Sequence, residues 1–165
     1  MDSLSNLETL ERLGLSLLAG LLLGFERESK SKPAGLRTYA LVCEGAALFM
    51  MGSILLGEEV RKAGGTGYDP SRIGSTIVQG IGFLAGGVIL TQGNRIRGVT
   101  TAADIWVTAA IGLLIGAGFF FLAISATIAT IFVLVPMQWL QRRITSATSS
   151  TGNDGSEDEG DSKVE

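Results

Sequence analysis

Histidine is absent from this 165-residue chain, and Cys43 is its single cysteine. Without histidine there is no Ser-His-Asp or Cys-His catalytic apparatus, and the usual zinc and copper sites are excluded as well. One cysteine cannot build an internal disulfide framework. Charge is scarce too, at 18% Asp, Glu, Lys and Arg against about 25% in ordinary soluble chains. A net charge of −3 provides no basic stripe for nucleic acid, so no nucleic-acid partner is expected. Glycine, by contrast, is abundant at 23 residues, although in water each helix-interior glycine costs about 1 kcal/mol relative to alanine.

The missing charges leave long gaps. Between Arg72 and Arg95 lie 22 uncharged residues, and between Asp104 and Arg142 lie 37. A 37-residue helix would reach roughly 55 Å, against a hydrocarbon core of about 30 Å. Two spans joined by a turn at Gly116-Ala117-Gly118 fit better, near Thr100–Gly116 and Phe119–Leu140. Leu13–Phe25 is free of charge, and Leu36–Gly57 carries only Arg37 at its edge and Glu44 inside. The expected fold class is therefore an all-α integral membrane protein of about five transmembrane helices, its first partner being the lipid bilayer. A soluble bundle is the alternative, but so short a chain has no outer layer to shield four or five apolar helices. The acidic N-terminus lacks the basic region of a cleaved signal peptide, so the first helix is expected to persist.

With five spans, one side of the membrane receives Arg27, Lys30, Lys32, Arg37, Arg95, Arg97, Arg142 and Arg143, and the other Arg12, Arg61, Lys62 and Arg72. The positive-inside rule then places the N-terminus outside and the C-terminus in the cytoplasm of a bacterial-type plasma membrane. Residues 1–144 form the expected transmembrane domain. From 145 to 165 the composition turns to Ser, Thr, Gly, Asp and Glu, which reads as a disordered acidic cytoplasmic tail.

Gly35-Leu36-Arg37-Thr38-Tyr39-Ala40 resembles Gly98-Val99-Thr100-Thr101-Ala102-Ala103, and Leu18-Ala19-Gly20 resembles Leu84-Ala85-Gly86. Two parallel helix-loop-helix repeats plus a fifth helix would explain this; chance similarity among Gly/Ala-rich spans is the competing account. Gly20 and Gly24, Gly82 and Gly86, and Gly112 and Gly116 each form a G-x-x-x-G pair, suited to close helix packing within a bundle or at a homodimer seam. Two polar stripes include these glycines: Ser75, Gln79, Gly82 and Gly86, and Thr101, Asp104, Thr108 and Gly112. Arg37 and Glu44 also share a face. Polar faces are costly in lipid and should meet one another or a hydrated cavity.

A carboxylate within a span has an ion, a proton or a cationic partner as its reason. Magnesium keeps several waters and contacts only one or two carboxylates, so Glu44 and Asp104, helped by Gln79, Thr101 and Thr108, are weak candidates for a hydrated Mg2+ site. No cofactor is implied; Mg2+ would be a ligand. The competing reading has Arg37 neutralising Asp104 or Glu26. The turn before Thr38 offers a second candidate: Lys32, Gly35 and Arg37 surround a helix N-terminus where a lipid phosphate or carboxylate can dock, or where Pro33 and Gly35 merely shape a capped helix start.

Four blocks then carry a resemblance. They are Leu-Leu-Leu-Gly-Phe-Glu-Arg-Glu (21–28), Lys-Pro-Ala-Gly-Leu-Arg-Thr (32–38), Gly-Ile-Gly-Phe-Leu-Ala-Gly-Gly-Val-Ile (80–89) and Ile-Arg-Gly-Val-Thr-Thr-Ala-Ala-Asp-Ile-Trp-Val (96–107). In content, order and spacing the chain resembles the MgtC/SapB family of bacterial membrane proteins, in its short, SapB-like branch without a soluble C-terminal domain. The resemblance implies a plasma-membrane protein of about five helices associated with magnesium limitation, and for some relatives an inhibitory contact with the F-type ATP synthase. Asp104 departs from the family pattern, standing where a small polar or apolar residue is usual. Three functions follow as expectations: a non-enzymatic protein of magnesium and divalent-cation homeostasis, a regulatory partner of another membrane complex that carries no ion, or a small dimeric permease. The residues expected to matter are Glu26, Arg37, Thr38, Glu44, Gln79, Thr101, Asp104 and Thr108.

Overall fold

A computed structural model describes residues 4–92 and 95–151, with side chains described for 4–91 and 96–135. Five helices follow one another: α1 (Asn6–Ser29), α2 (Leu36–Lys62), α3 (Ser71–Gly87), α4 (Val99–Ala117) and α5 (Phe120–Thr151). Between α3 and α4 the chain forms two short antiparallel strands, β1 (Leu90–Gln92) and β2 (Arg95–Arg97), with Leu90 opposite Arg97 and Thr91 opposite Ile96. An all-α reading misses this hairpin, whose Leu90, Thr91 and Ile96 suit a pleated backbone.

The helix ends follow from local chemistry. At the start of α1, Ser5 and Glu8 form a reciprocal capping box: the Glu8 N–H donates to Ser5 Oγ (3.2 Å) and the Ser5 N–H to Glu8 Oε2 (3.0 Å). Its last turn closes with the Ser31 N–H donating to the Glu28 carbonyl and the Lys32 N–H to the Arg27 carbonyl, both 3.0 Å. This motif needs a left-handed residue, and Ser31 supplies it at φ +50°. Ser31→Gly is therefore expected to stabilise the protein by up to about 1 kcal/mol, seen as a small rise in thermal midpoint in detergent. The same motif ends α4, with Gly118 at φ +86° and N–H bonds of 2.9 Å from Gly118 to Ile115 and from Phe119 to Leu114. The turn expected at Gly116–Gly118 falls at this point.

The chain divides into two compact units, residues 1–131 and 132–165. In the first, α1 packs on α2, α2 on α4 and α1 on α4, while α3 lies chiefly against α4. Leu23, Tyr39, Cys43, Ile105 and Ile111 are buried at the centre. Large apolar side chains face outward on every helix of this unit, among them Phe25, Leu41, Phe83, Trp106 and Phe121, whereas Glu26, Arg27, Asp104 and Thr108 are buried. Polar groups inside and apolar groups outside is the distribution that a lipid solvent selects.

Among the described residues, α2 and α4 are long and apolar enough to cross a bilayer by length and composition; the described part of α5 provides a shorter apolar helix, Phe120–Val135. The other expected spans would fall on α1, α3 and α5. The uncharged core of α1 is 13 residues within a helix of 24, and α3 is 17 residues long, at the lower end of what a span uses. The second unit is the continuation of α5, which runs to Thr151. The composition change at 144 falls within this helix. The rest of the acidic tail lies outside the described residues.

Candidate functional site

The last turns of α1 place Glu26 and Arg27 on the inner face, where Arg27 is 1% exposed. Its Nε pairs with Glu26 Oε2 at 2.6 Å and with Asp104 Oδ2, in the second turn of α4, at 3.5 Å. From the first turn of α2 the Tyr39 hydroxyl donates to the same Asp104 oxygen at 2.9 Å. Lys30, one turn beyond Glu26, binds the other Glu26 carboxylate oxygen. Two cations and two carboxylates thus balance while tying together three helices. Burying an ion costs several kcal/mol even after relaxation, so this neutrality is a condition of the fold. Two atoms of the cluster, Arg27 Nη2 and Asp104 Oδ1, are buried and have no hydrogen-bond partner among the described residues. One is a donor and the other an acceptor, so the cluster retains polar capacity on both sides.

Thr101 and Thr108 lie buried on the Asp104 face of α4, as their spacing requires. The Thr108 hydroxyl donates to the Asp104 carbonyl at 2.8 Å and is engaged by its own helix. The remaining expected residues lie elsewhere. Arg37 and Thr38 are exposed and Glu44 is half-buried, because two residues from Arg37 to Tyr39 turn a helix by about 200° and Glu44 shares the Arg37 face. It is Arg27, not Arg37, that neutralises Glu26 and Asp104. Gln79 is exposed along with Ser75, Gly82 and Gly86, since α3 turns Gly74 and Ala85 inward instead. Among the described residues no group of three or more His, Cys, Asp or Glu side chains is placed to hold a metal, and the Asp104 carboxylate faces Arg27 and Tyr39 instead of Glu44.

At the start of α2 the chain supplies a carboxylate of its own. Glu28 Oε2 accepts the Leu36 N–H at 3.2 Å and lies where a Cβ on Gly35 would stand. Lys32 is exposed beside it. The glycine pairs divide. A Cβ at Gly20 would stand 2.6 Å from the Tyr39 carbonyl oxygen, and one at Gly24 2.7 Å from the Leu36 Cα. On α4, a Cβ at Gly112 would strike the Cys43 carbonyl, and one at Gly116 would stand 2.5 Å from that of Ala47. No atom lies within 4 Å of a Cβ at Gly82 or Gly86.

Sequence reasoning missed Arg27, Tyr39 and Arg12. Tyr39 could have been found, because it shares a helical face with the small apolar residues Cys43, Ala46 and Ala47, which marks the inner side of α2. Arg12 sits at the other end of α1, where its Nη1 donates to the Gly116 carbonyl at 2.7 Å and its guanidinium lies 6.0 Å from the Phe120 ring centroid.

The five cluster residues that join α1, α2 and α4 all lie within the stretch 13–143, which the MgtC family model matches. The chain belongs to the MgtC family. A protein of Escherichia coli (strain K12) named "Putative magnesium transporter YhiD" is 44% identical to this MgtC-family chain over 137 residues, covering 83% of the chain and 64% of that protein. Protein MgtC of Salmonella typhimurium (strain LT2) is 40% identical over 129 residues, covering 78% of the chain and 52% of that protein. An uncharacterized protein of Synechocystis is 44% identical over 128 residues, covering 78% and 50%. The MgtC-family chain thus spans between half and two-thirds of the length of these curated relatives. No solved structure matches it.

Proposed function

We propose that this MgtC-family chain serves magnesium homeostasis from the bacterial plasma membrane without catalysing a reaction and without itself carrying the cation. The observation behind this reading is the position of Arg27, whose guanidinium is paired with Glu26 and Asp104. A fixed positive charge beside the two buried carboxylates repels a divalent cation, and the repulsion is strong where the dielectric is low. The cluster then works as a lock on α1, α2 and α4, and the protein acts on another membrane complex, of which an F-type ATP synthase is one kind. Five spans, with the N-terminus outside and the C-terminus in the cytoplasm, complete the proposed topology.

A second reading, a small permease that works as a dimer, draws on the printed name of the Escherichia coli relative and on Glu44. That carboxylate is half-buried and makes no ion pair or hydrogen bond among the described residues. Two measurements test the pair of readings. In a strain lacking its own copy, Asp104→Asn at matched protein level is expected to lose support of growth at limiting magnesium, while purified wild type in liposomes moves no Mg2+ down an imposed gradient. Mg2+ flux would move the assignment to the permease. Wild-type growth with Asp104→Asn would remove the cluster from the function.

A further inference from the structure

Between α2 and α3 runs an open groove of about 820 Å³, within the size range of small-molecule sites. Its walls are apolar, with Leu41, Val42 and Phe49 on α2 facing Ile77, Ile81 and Leu84 on α3. On α2 the lining extends from Arg37 to Phe49, twelve helical steps or about 18 Å. Half of a 30 Å hydrocarbon core is about 15 Å, so the groove is one leaflet long. Arg37 and Thr38 stand at one end of it, and Arg37 is exposed with no ion pair or hydrogen bond among the described residues. Gly45 and Gly80 keep the trough wide, since no atom lies within 4 Å of a Cβ placed on either.

From this we infer that the groove binds one anionic phospholipid, with an acyl chain lying between α2 and α3 and the phosphate paired with the Arg37 guanidinium and the Thr38 hydroxyl. Guanidinium and phosphate match in charge and in hydrogen-bond geometry. A trough one leaflet long with a single cation at its mouth complements an amphiphile at both ends. An apolar partner helix would cover the walls and leave Arg37 uncompensated; free phosphate would pair with Arg37 and leave the walls bare. The inference goes beyond the magnesium reading and depends on no part of it.

Native mass spectrometry of the full chain released from detergent, titrated separately with phosphatidylglycerol, phosphatidylcholine and inorganic phosphate, tests it. Wild type is expected to retain one phosphatidylglycerol in preference to phosphatidylcholine, and to hold no inorganic phosphate. Arg37→Gln should weaken phosphatidylglycerol binding about fivefold. Gly45→Leu combined with Gly80→Leu puts bulk into the trough at positions where no atom lies within 4 Å of a Cβ, so it should abolish retention while leaving the thermal midpoint of the lipid-free protein unchanged. Equal retention of the two lipids, undiminished retention by the double variant at a wild-type midpoint, or binding of inorganic phosphate alone would each overturn the assignment. So would crosslinks from Gly45-position probes that capture a protein helix in place of lipid.

Discussion

Arg27→Met is expected to destabilise the protein by about 3–5 kcal/mol, the range for breaking a buried ion pair by removing one partner. Methionine fills much of the same volume, so the loss comes chiefly from charge. Glu26 would keep Lys30, which is 29% exposed, but Asp104 would keep only the Tyr39 hydroxyl in a site sealed from water. Thermal unfolding followed by detergent-phase size exclusion measures the effect. A double variant, Arg27→Met with Asp104→Leu, removes both charges of the inter-helix pair and is expected to recover most of the stability, because well-packed apolar replacements of buried ion pairs are often neutral or better. If the single variant unfolds within about 1 kcal/mol of wild type, the site is hydrated and the cluster does not hold the helices. The double variant also separates stability from function: folded but unable to support growth at limiting magnesium is the expected phenotype.

Gly112→Val should be comparably severe. A Cβ there meets the Cys43 carbonyl, with the Cys43 Cα a further obstacle at 3.0 Å. These are backbone atoms, so no rotamer change relieves the clash and α2 must move away from α4. Overpacking of this kind costs about 3 kcal/mol or more when the backbone has to shift. Gly86→Val belongs to the same G-x-x-x-G pattern, yet it faces open space and is expected to leave the midpoint within about 0.5 kcal/mol of wild type. Thermal unfolding of the two variants side by side decides the matter. Equal effects would mean that the close approach of α2 and α4 does not contribute to stability.

That contrast marks what could be read from the sequence. Small residues four apart predict where a helix can be approached, not whether a neighbour arrives: α1 and α4 place their glycines against α2, while α3 leaves its own outside. Periodicity put Thr101, Asp104 and Thr108 on one face correctly, because three- and four-residue steps depend only on the helix itself. The choice of counter-ion was not legible. Arg37 follows a turn and Arg27 precedes it, both lie near the same helix ends, and only the rotation of α1 and α2 about their axes decides which guanidinium points inward. The role of Glu28 was not legible for a similar reason. Its carboxylate serves the start of α2 across a connection whose path is set by the left-handed Ser31, a conformation that composition does not announce for serine. The family resemblance was legible because it rests on ordered blocks of residues, which require no knowledge of packing.

Arg12 and Arg27 fasten α1 at opposite ends, the first to the α4–α5 turn through Gly116 and the second to the opening turns of α4 through Asp104. A rod riveted at two points can neither slide nor roll without tearing a charged contact. Within residues 1–131, α3 makes no side-chain hydrogen bond or ion pair to another helix among the described residues, so apolar packing against α4 and α2 is what holds it.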